Sequence, residues 1–192
     1  MSRRRLALLA IVLALALPGC SGAATVSFDP SGPCTADGSA PGAYPDLEAE
    51  VPGSYEDRGP ETLDSGRHCT AANLGTLAAA GIDEIRFAGG TWDFGGNRAA
   101  ALVVFEAPGL TADHVAEFYA TSAGAADRTE ITGESTPTLA GRPGHRLDTK
   151  TGERIQTVVV WPAAEPDRVN VVITNDLPDP KILAAVDAFG GR

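Results

Sequence analysis

The histidines are the first side chains that could do chemistry, because nucleophilic catalysis needs a hydroxyl or thiol beside a base that a third group orients. A serine, an aspartate and a histidine lie close together in residues 64–68 (DSGRH). Members of a triad normally come from separate elements, and the sequence contains no Gly-x-Ser-x-Gly elbow. We therefore assign no catalytic residue here and interpret Arg67 and His68 as solvated loop residues.

The two remaining histidines give no metal or catalytic pattern. His114 follows Asp113 and precedes Glu117 by three positions, which a polar helix face explains without a ligand. His145 has no recognisable partner in the sequence. Asn175, Asp176 and Asp179 (residues 175–179) lack the spacing of a calcium loop. The sequence therefore predicts no metal and no cofactor.

Glycine pairs flank two aromatic residues in residues 89–96 (GGTWDFGG). Trp92 and Phe94 could form the tip of a hairpin that contacts a sugar or a protein partner. Alternatively, both rings pack on the domain's own core between two turns. No phosphate-binding glycine pattern is present. We keep Trp92 and Phe94 as the candidate contact surface.

The N-terminus has the pattern of an export signal. Three arginines at residues 3–5 precede an uncharged apolar run over residues 6–17. A run of about 12 residues is shorter than the roughly 20 that a membrane-spanning helix needs. We predict a signal peptide over residues 1–19.

Residues 17–20 (LPGC) resemble the lipobox of bacterial lipoproteins, in which the cysteine is diacylated and becomes the first residue after cleavage. The resemblance implies a diacylglyceryl anchor on Cys20 that holds the protein to the cell membrane on its extracytoplasmic side. The alternative is an ordinary secretory signal with an incidental cysteine.

Composition places the rest of the chain outside the membrane and away from nucleic acid. Residues 20–45 are rich in Gly, Ser, Ala and Pro, which predicts a flexible tether. The formal net charge of −10 gives no electrostatic footprint for DNA or RNA. It also predicts that an anionic bilayer repels the domain.

The chain has 3 cysteines, so acylation of Cys20 leaves Cys34 and Cys69. An exported compartment favours a disulfide between them. Such a bridge would stabilise the domain by about 3–4 kcal/mol on the chain-entropy model. A metal site with His68 is the weaker alternative, because adjacent side chains rarely point at one ion.

Periodicity and caps predict the elements that position these side chains. A short helical turn is expected at residues 46–51, and helices are expected from Thr70 to Gly81, from Thr111, and after an N-cap at Asp179. Strands are expected as a hairpin of residues 84–87 and 99–107, then at 128–132, 144–148, 154–161 and 168–174.

This order predicts one α+β domain over residues 46–192. Short connections favour an antiparallel sheet packed by helices, with a body of β-β-α-β-β-β-β-α.

The chain resembles uncharacterised secreted lipoproteins of high-GC bacteria such as Actinomycetota and Chloroflexota. The resemblance rests on the lipobox at Cys20, on residues 47–52 (LEAEVP) and 73–77 (NLGTL), and on the element order. The order is also similar to the PsbP-like sandwich, a sheet between helices. That fold implies accessory and binding roles and carries over no catalytic residue.

We therefore expect a lipid-anchored, non-enzymatic extracytoplasmic protein that binds a protein, an envelope component or a small ligand. The alternative hypothesis is a hydrolase of envelope material whose site is assembled from distant residues.

Cys20→Ala tests the anchor. We expect the variant to leave the membrane fraction and appear in the medium, because the acyl chains can no longer be attached. Fractionation with immunoblotting measures this, and full retention of the variant on membranes would contradict a Cys20 anchor.

Overall fold

The computed structural model describes residues 28–190. The predicted signal peptide and Cys20 lie outside the described residues. Within them, no helix is long and apolar enough to cross a membrane.

An antiparallel sheet forms the centre of the described chain. The strands are β1 (Gly38–Ala40), β2 (Thr62–His68), β3 (Ile85–Asp93), β4 (Ala99–Glu106), β5 (Thr129–Ser135), β6 (Thr138–Leu139), β7 (Arg142–Pro143), β8 (His145–Thr151), β9 (Arg154–Pro162) and β10 (Arg168–Asn175). Eight of them pair in the order β1-β2-β3-β4-β10-β9-β8-β5, and β6 pairs with β7 in a separate ribbon. The α+β class is thus confirmed.

Helices cover both faces of this sheet. They are α1 (Pro45–Glu48), α2 (Ala71–Leu74), α3 (Thr76–Ala79), α4 (Ala112–Ala125) and α5 (Asp179–Ala188). One core cluster joins α1 and α5 to one face, and a second joins α2, α3 and α4 to the other. In β9 the side chains alternate between the two, with Val159 in the first cluster and Val158 in the second. Burial on both sides explains the nearly unbroken apolar runs of β4, β9 and β10.

The predicted element order is not confirmed, because β1 and β2 extend the sheet before the expected hairpin. The hairpin of β3 with β4 is present. The helix expected from Thr70 to Gly81 is divided at Gly75, whose φ of 51° lies in the left-handed region. The last helix has Pro178 at its N-cap position, and Asp179 begins the helix without capping it.

The predicted tether of residues 20–45 is wrong for its described part. Gly38–Ala40 pairs with β2, and the solvated loop expected at Arg67 and His68 is itself part of β2. A side chain at Gly66 would collide with the Gly38 carbonyl oxygen and with Phe87, so glycine permits the close approach of β1. Residues 28–45 therefore belong to the domain.

Arg67 fastens the start of the described chain to β2. This side chain is buried, with the residue 5% exposed. Its guanidinium donates hydrogen bonds to the carbonyl oxygens of Gly32 at 2.7 Å, Asp29 at 3.0 Å and Pro33 at 3.3 Å. It also lies 3.6 Å from a Glu84 carboxylate oxygen. Charged hydrogen bonds of this kind are stronger than neutral ones and offset the cost of burying the cation.

Two further contacts hold the same segment. Cys34 and Cys69 form the predicted disulfide, with Cα atoms 6.1 Å apart. The Asp37 carboxylate accepts hydrogen bonds from the backbone N–H groups of Cys69 at 2.7 Å and Thr70 at 3.0 Å. It also accepts them from the Thr70 hydroxyl and the Asn73 amide.

The ionised form of Asp37 is the form these donors require. Burial opposes its charge, but the hydrogen bonds from Thr70, Cys69 and Asn73 outweigh burial and lower its pKa to about 2. Because the pKa of folded Asp37 lies below the ordinary aspartate value of 3.8, its hydrogen bonds stabilise the fold fully at higher pH. It is lost as the pH falls from about 4 through 2.

Arg67→Met is expected to lower the free energy of unfolding by about 2–4 kcal/mol, because three backbone carbonyls lose a charged donor. Urea denaturation measures the change. Arg98→Met is the matched control, since Arg98 also donates to two carbonyls, those of Phe94 and Gly95, but from an exposed turn. Equal stability of the Arg67 variant and the wild type would contradict this role.

Candidate functional site

Helix α4 lies across the sheet face formed by β8, β9 and β5. Its start is capped by the Thr111 hydroxyl, which accepts a hydrogen bond from the His114 N–H at 3.2 Å. Val115 and Phe118 pack into the second core cluster. On the side of the helix toward β8, two positions carry the short side chains of Ala116 and Ala120. Ala120 packs against the second core cluster, but the short side chains leave space between this side of the helix and the strands.

The resulting space is a cleft of about 540 Å³, which we call the α4 cleft. Leu147, Val158 and Val160 line it from the strands, and Ala116 and Ala120 line it from the helix. The polar lining residues are Asp113, Glu117, Glu134, Ser135, Thr136, His145 and Arg146. A cleft of this volume, with an apolar floor and polar groups around it, is typical of small-molecule sites.

The α4 cleft adjoins a second cavity of about 340 Å³ under the C-terminal half of the helix. Tyr119, Leu147 and Val158 line both. The far end of the second cavity is polar and includes Arg154 and Gln156. The two cavities therefore offer an apolar middle between two polar ends.

Tyr119 forms the wall between these cavities. Its ring stands edge-on to Phe118, with centroids 5.4 Å apart. Burial raises the pKa of its phenol, so the hydroxyl is neutral. Within residues 28–190, the phenol makes no hydrogen bond, which leaves it free for a ligand.

His145 and Asp113 meet at the rim of the α4 cleft. The imidazole Nε2 lies 2.7 Å from Asp113 Oδ1, and the two side chains are 32% and 84% exposed. The expectation that His145 has no partner was wrong, because β8 and the first turn of α4 bring together residues far apart in sequence. Among the described residues, no hydroxyl or thiol bonds to His145, so the pair lacks a nucleophile.

The other charged groups at the rim differ in their pairing. The Arg146 guanidinium forms ion pairs with two carboxylates, at 2.9 Å from Asp148 Oδ2 and at 2.8 Å from Asp179 Oδ1. The hydrogen bond with Asp148 raises the pKa of the Arg146 guanidinium. In contrast, neither Glu117 nor Glu134 forms an ion pair within the described part of the chain.

The remaining candidate ligands stay dispersed. The His68 ring stacks on the Phe87 ring, with centroids 4.9 Å apart. His114 is partly buried, and its Nδ1 atom makes no hydrogen bond among the described residues. Asp176 accepts a hydrogen bond from the Ile155 N–H at 2.9 Å. Among residues 28–190, no group of three or more His, Cys, Asp or Glu residues could hold a metal ion.

The candidate contact surface at Trp92 and Phe94 was wrong for the tryptophan. Trp92 is 0% exposed, and its indole donates to the Arg58 carbonyl at 2.8 Å. Phe94 is partly buried and stands edge-on to Tyr55, with centroids 5.6 Å apart. Both rings therefore pack on the core that joins α1 and α5 to the sheet, as the alternative interpretation held.

Sequence reasoning missed the α4 cleft as a whole. The spacing of Ala116 and Ala120 is the one local signal, because two alanines four residues apart mark a shallow stripe on a helix. The strands that lie below that stripe are determined by the order of strands in the sheet, and a short sequence window does not reveal this order.

No model of a known protein family matches the chain, and no curated protein matches it with significant similarity.

Trp92→Ala is expected to lower the free energy of unfolding by about 3–5 kcal/mol, because it opens a cavity and removes a buried hydrogen bond. Phe94→Ala, at a partly buried site, should cost less. Thermal denaturation of both variants measures this. A Trp92 variant as stable as the wild type would contradict the buried position.

Proposed function

We propose that the protein is a lipid-anchored, extracytoplasmic binding protein and that the α4 cleft holds its ligand. The observation that carries the proposal is the cleft of about 540 Å³ with an apolar floor and a polar rim. Helices cover much of the apolar surface on both faces of the sheet, and the α4 cleft is a place where a small amphiphile can bury its apolar part.

The proposed anchor at Cys20 gives this site a location. Residues 21–27 separate Cys20 from the first described residue, Phe28. Seven residues reach roughly 25 Å when fully extended. Under the proposal the domain therefore stays near the membrane surface, where amphiphiles are concentrated.

We also infer that the fold is of the PsbP-like sandwich kind. The support is an antiparallel sheet with core clusters and helices on both faces. This fold does not determine an activity, so the proposed binding role rests on the α4 cleft.

A hydrolase of envelope material is the second candidate, favoured by the His145–Asp113 contact at the cleft rim. A base held by a carboxylate is two-thirds of a catalytic triad. The third member would have to be a bound water or a hydroxyl that moves on substrate binding.

A cleft-filling variant tests the binding proposal. The probe is the neutral dye N-phenyl-1-naphthylamine, whose fluorescence rises in an apolar site. The protein is the chain from residue 20 with Cys20→Ser, which avoids competition from the acyl chains. We expect Ala120→Phe to weaken dye binding about tenfold or more, because the new ring extends from the helix into the cleft and fills the space above its apolar floor.

Thr121→Phe is the matched control, since it adds the same ring to an exposed position of the same helix. Equal dye binding by the wild type and the Ala120 variant would contradict the proposal. Turnover of ester or amide substrates that disappears in His145→Ala, but not in His68→Ala, would favour the hydrolase.

A further inference from the structure

We propose that the α4 cleft selects small amphiphiles with a cationic head group and an apolar chain. This inference rests on the proposed binding function and adds the chemical class of the ligand. It follows from the pairing of the charges at the rim.

The rim carries more negative charge than its own cations can neutralise. Asp113, Glu117 and Glu134 line the cleft, whereas the basic lining residues are Arg146 and His145. Arg146 is already held by two carboxylates, those of Asp148 and Asp179. A cationic head group would supply the missing positive charge, and an anionic one would meet uncompensated carboxylates.

The unpaired carboxylates come from two different elements. Glu117 lies on α4 and Glu134 on β5, and both residues are exposed. Neither has an ion-pair partner among residues 28–190. A head group at the mouth can thus approach both without first breaking a contact inside the protein.

The floor accommodates the apolar part of the same molecule. Leu147, Val158 and the ring of Tyr119 continue from the α4 cleft into the adjoining cavity of about 340 Å³. An extended chain can therefore run along the helix while the head group remains at the acidic mouth. The formal net charge of −10 also attracts cations at long range.

A larger cavity elsewhere differs in its apolar lining. This cavity of about 610 Å³ at one end of the sheet is also acidic, since Glu165 and Asp167 line it in addition to the ion-paired Glu84, Glu106, Arg86 and Arg168. Its apolar lining residues are Ala107, Pro108 and Pro166. It therefore lacks the aliphatic and aromatic floor that would hold the chain of an amphiphile.

A series of amphiphiles with one chain and three head groups tests the proposal. Decyltrimethylammonium, decyl maltoside and decyl sulfate are titrated calorimetrically below their micellar concentrations into the Cys20→Ser chain from residue 20. We expect the cation to bind about 5–10-fold more tightly than the neutral compound and the anion to bind more weakly still.

Glu117→Gln with Glu134→Gln is expected to abolish the preference for the cation and to leave affinity for the neutral compound within about twofold. Glu130→Gln with Glu153→Gln is the matched control, because it removes the same net charge at exposed positions outside the cleft lining. A loss of equal size in the control would overturn the role of the rim.

The outcomes separate the two proposals. Equal binding of the cationic and neutral compounds would overturn the charge selectivity and leave the binding function standing. Failure of all three compounds to bind would overturn both.

Discussion

The buried guanidinium of Arg67 is the contact on which the beginning of the domain depends. A cation that is 5% exposed requires acceptors around it, and residues 29–33 supply three of them as backbone carbonyls. These carbonyls bring β1 against β2, while the Cys34–Cys69 disulfide and Asp37 hold the other end of the segment. The described part of the predicted tether, residues 28–45, therefore contributes the edge strand β1 and belongs to the folded body.

With that edge in place, the sheet has eight strands and helices on both faces, so most of its apolar side chains are already buried. The α4 cleft is a gap at the edge of this packing, where the short side chains of Ala116 and Ala120 leave space beside Leu147 and Val158, which are 7% and 2% exposed. Larger side chains at these positions would close the space and stabilise the core by burying more area. Small residues above an apolar floor are consistent with a site kept open for a ligand, as the proposed binding function requires.

The sequence predicts the strands and helices whose signals, such as apolar runs and helix caps, lie within a few consecutive residues. The apolar runs of β4, β9 and β10 and the Thr111 cap of α4 are visible in short windows, and the count of cysteines already suggests the Cys34–Cys69 pair. It does not predict β1 or β2, because their residues are polar and are held by contacts between positions more than 20 apart, such as Arg67 with Asp29. The His145–Asp113 contact was missed for the same reason, and the burial of Trp92 could be stated only as one of two alternatives. Both depend on which elements lie across from each other, and the pairing order of the sheet determines that.

Native mass spectrometry of the acylated protein, extracted from its own membranes, tests the central claim that the α4 cleft carries a ligand. The account predicts an added mass on the order of a few hundred daltons beyond the lipid, in keeping with the cleft volume, and predicts its absence from the Ala120→Phe variant. A bare lipoprotein mass for the wild type, or the same added mass on the variant, would contradict it.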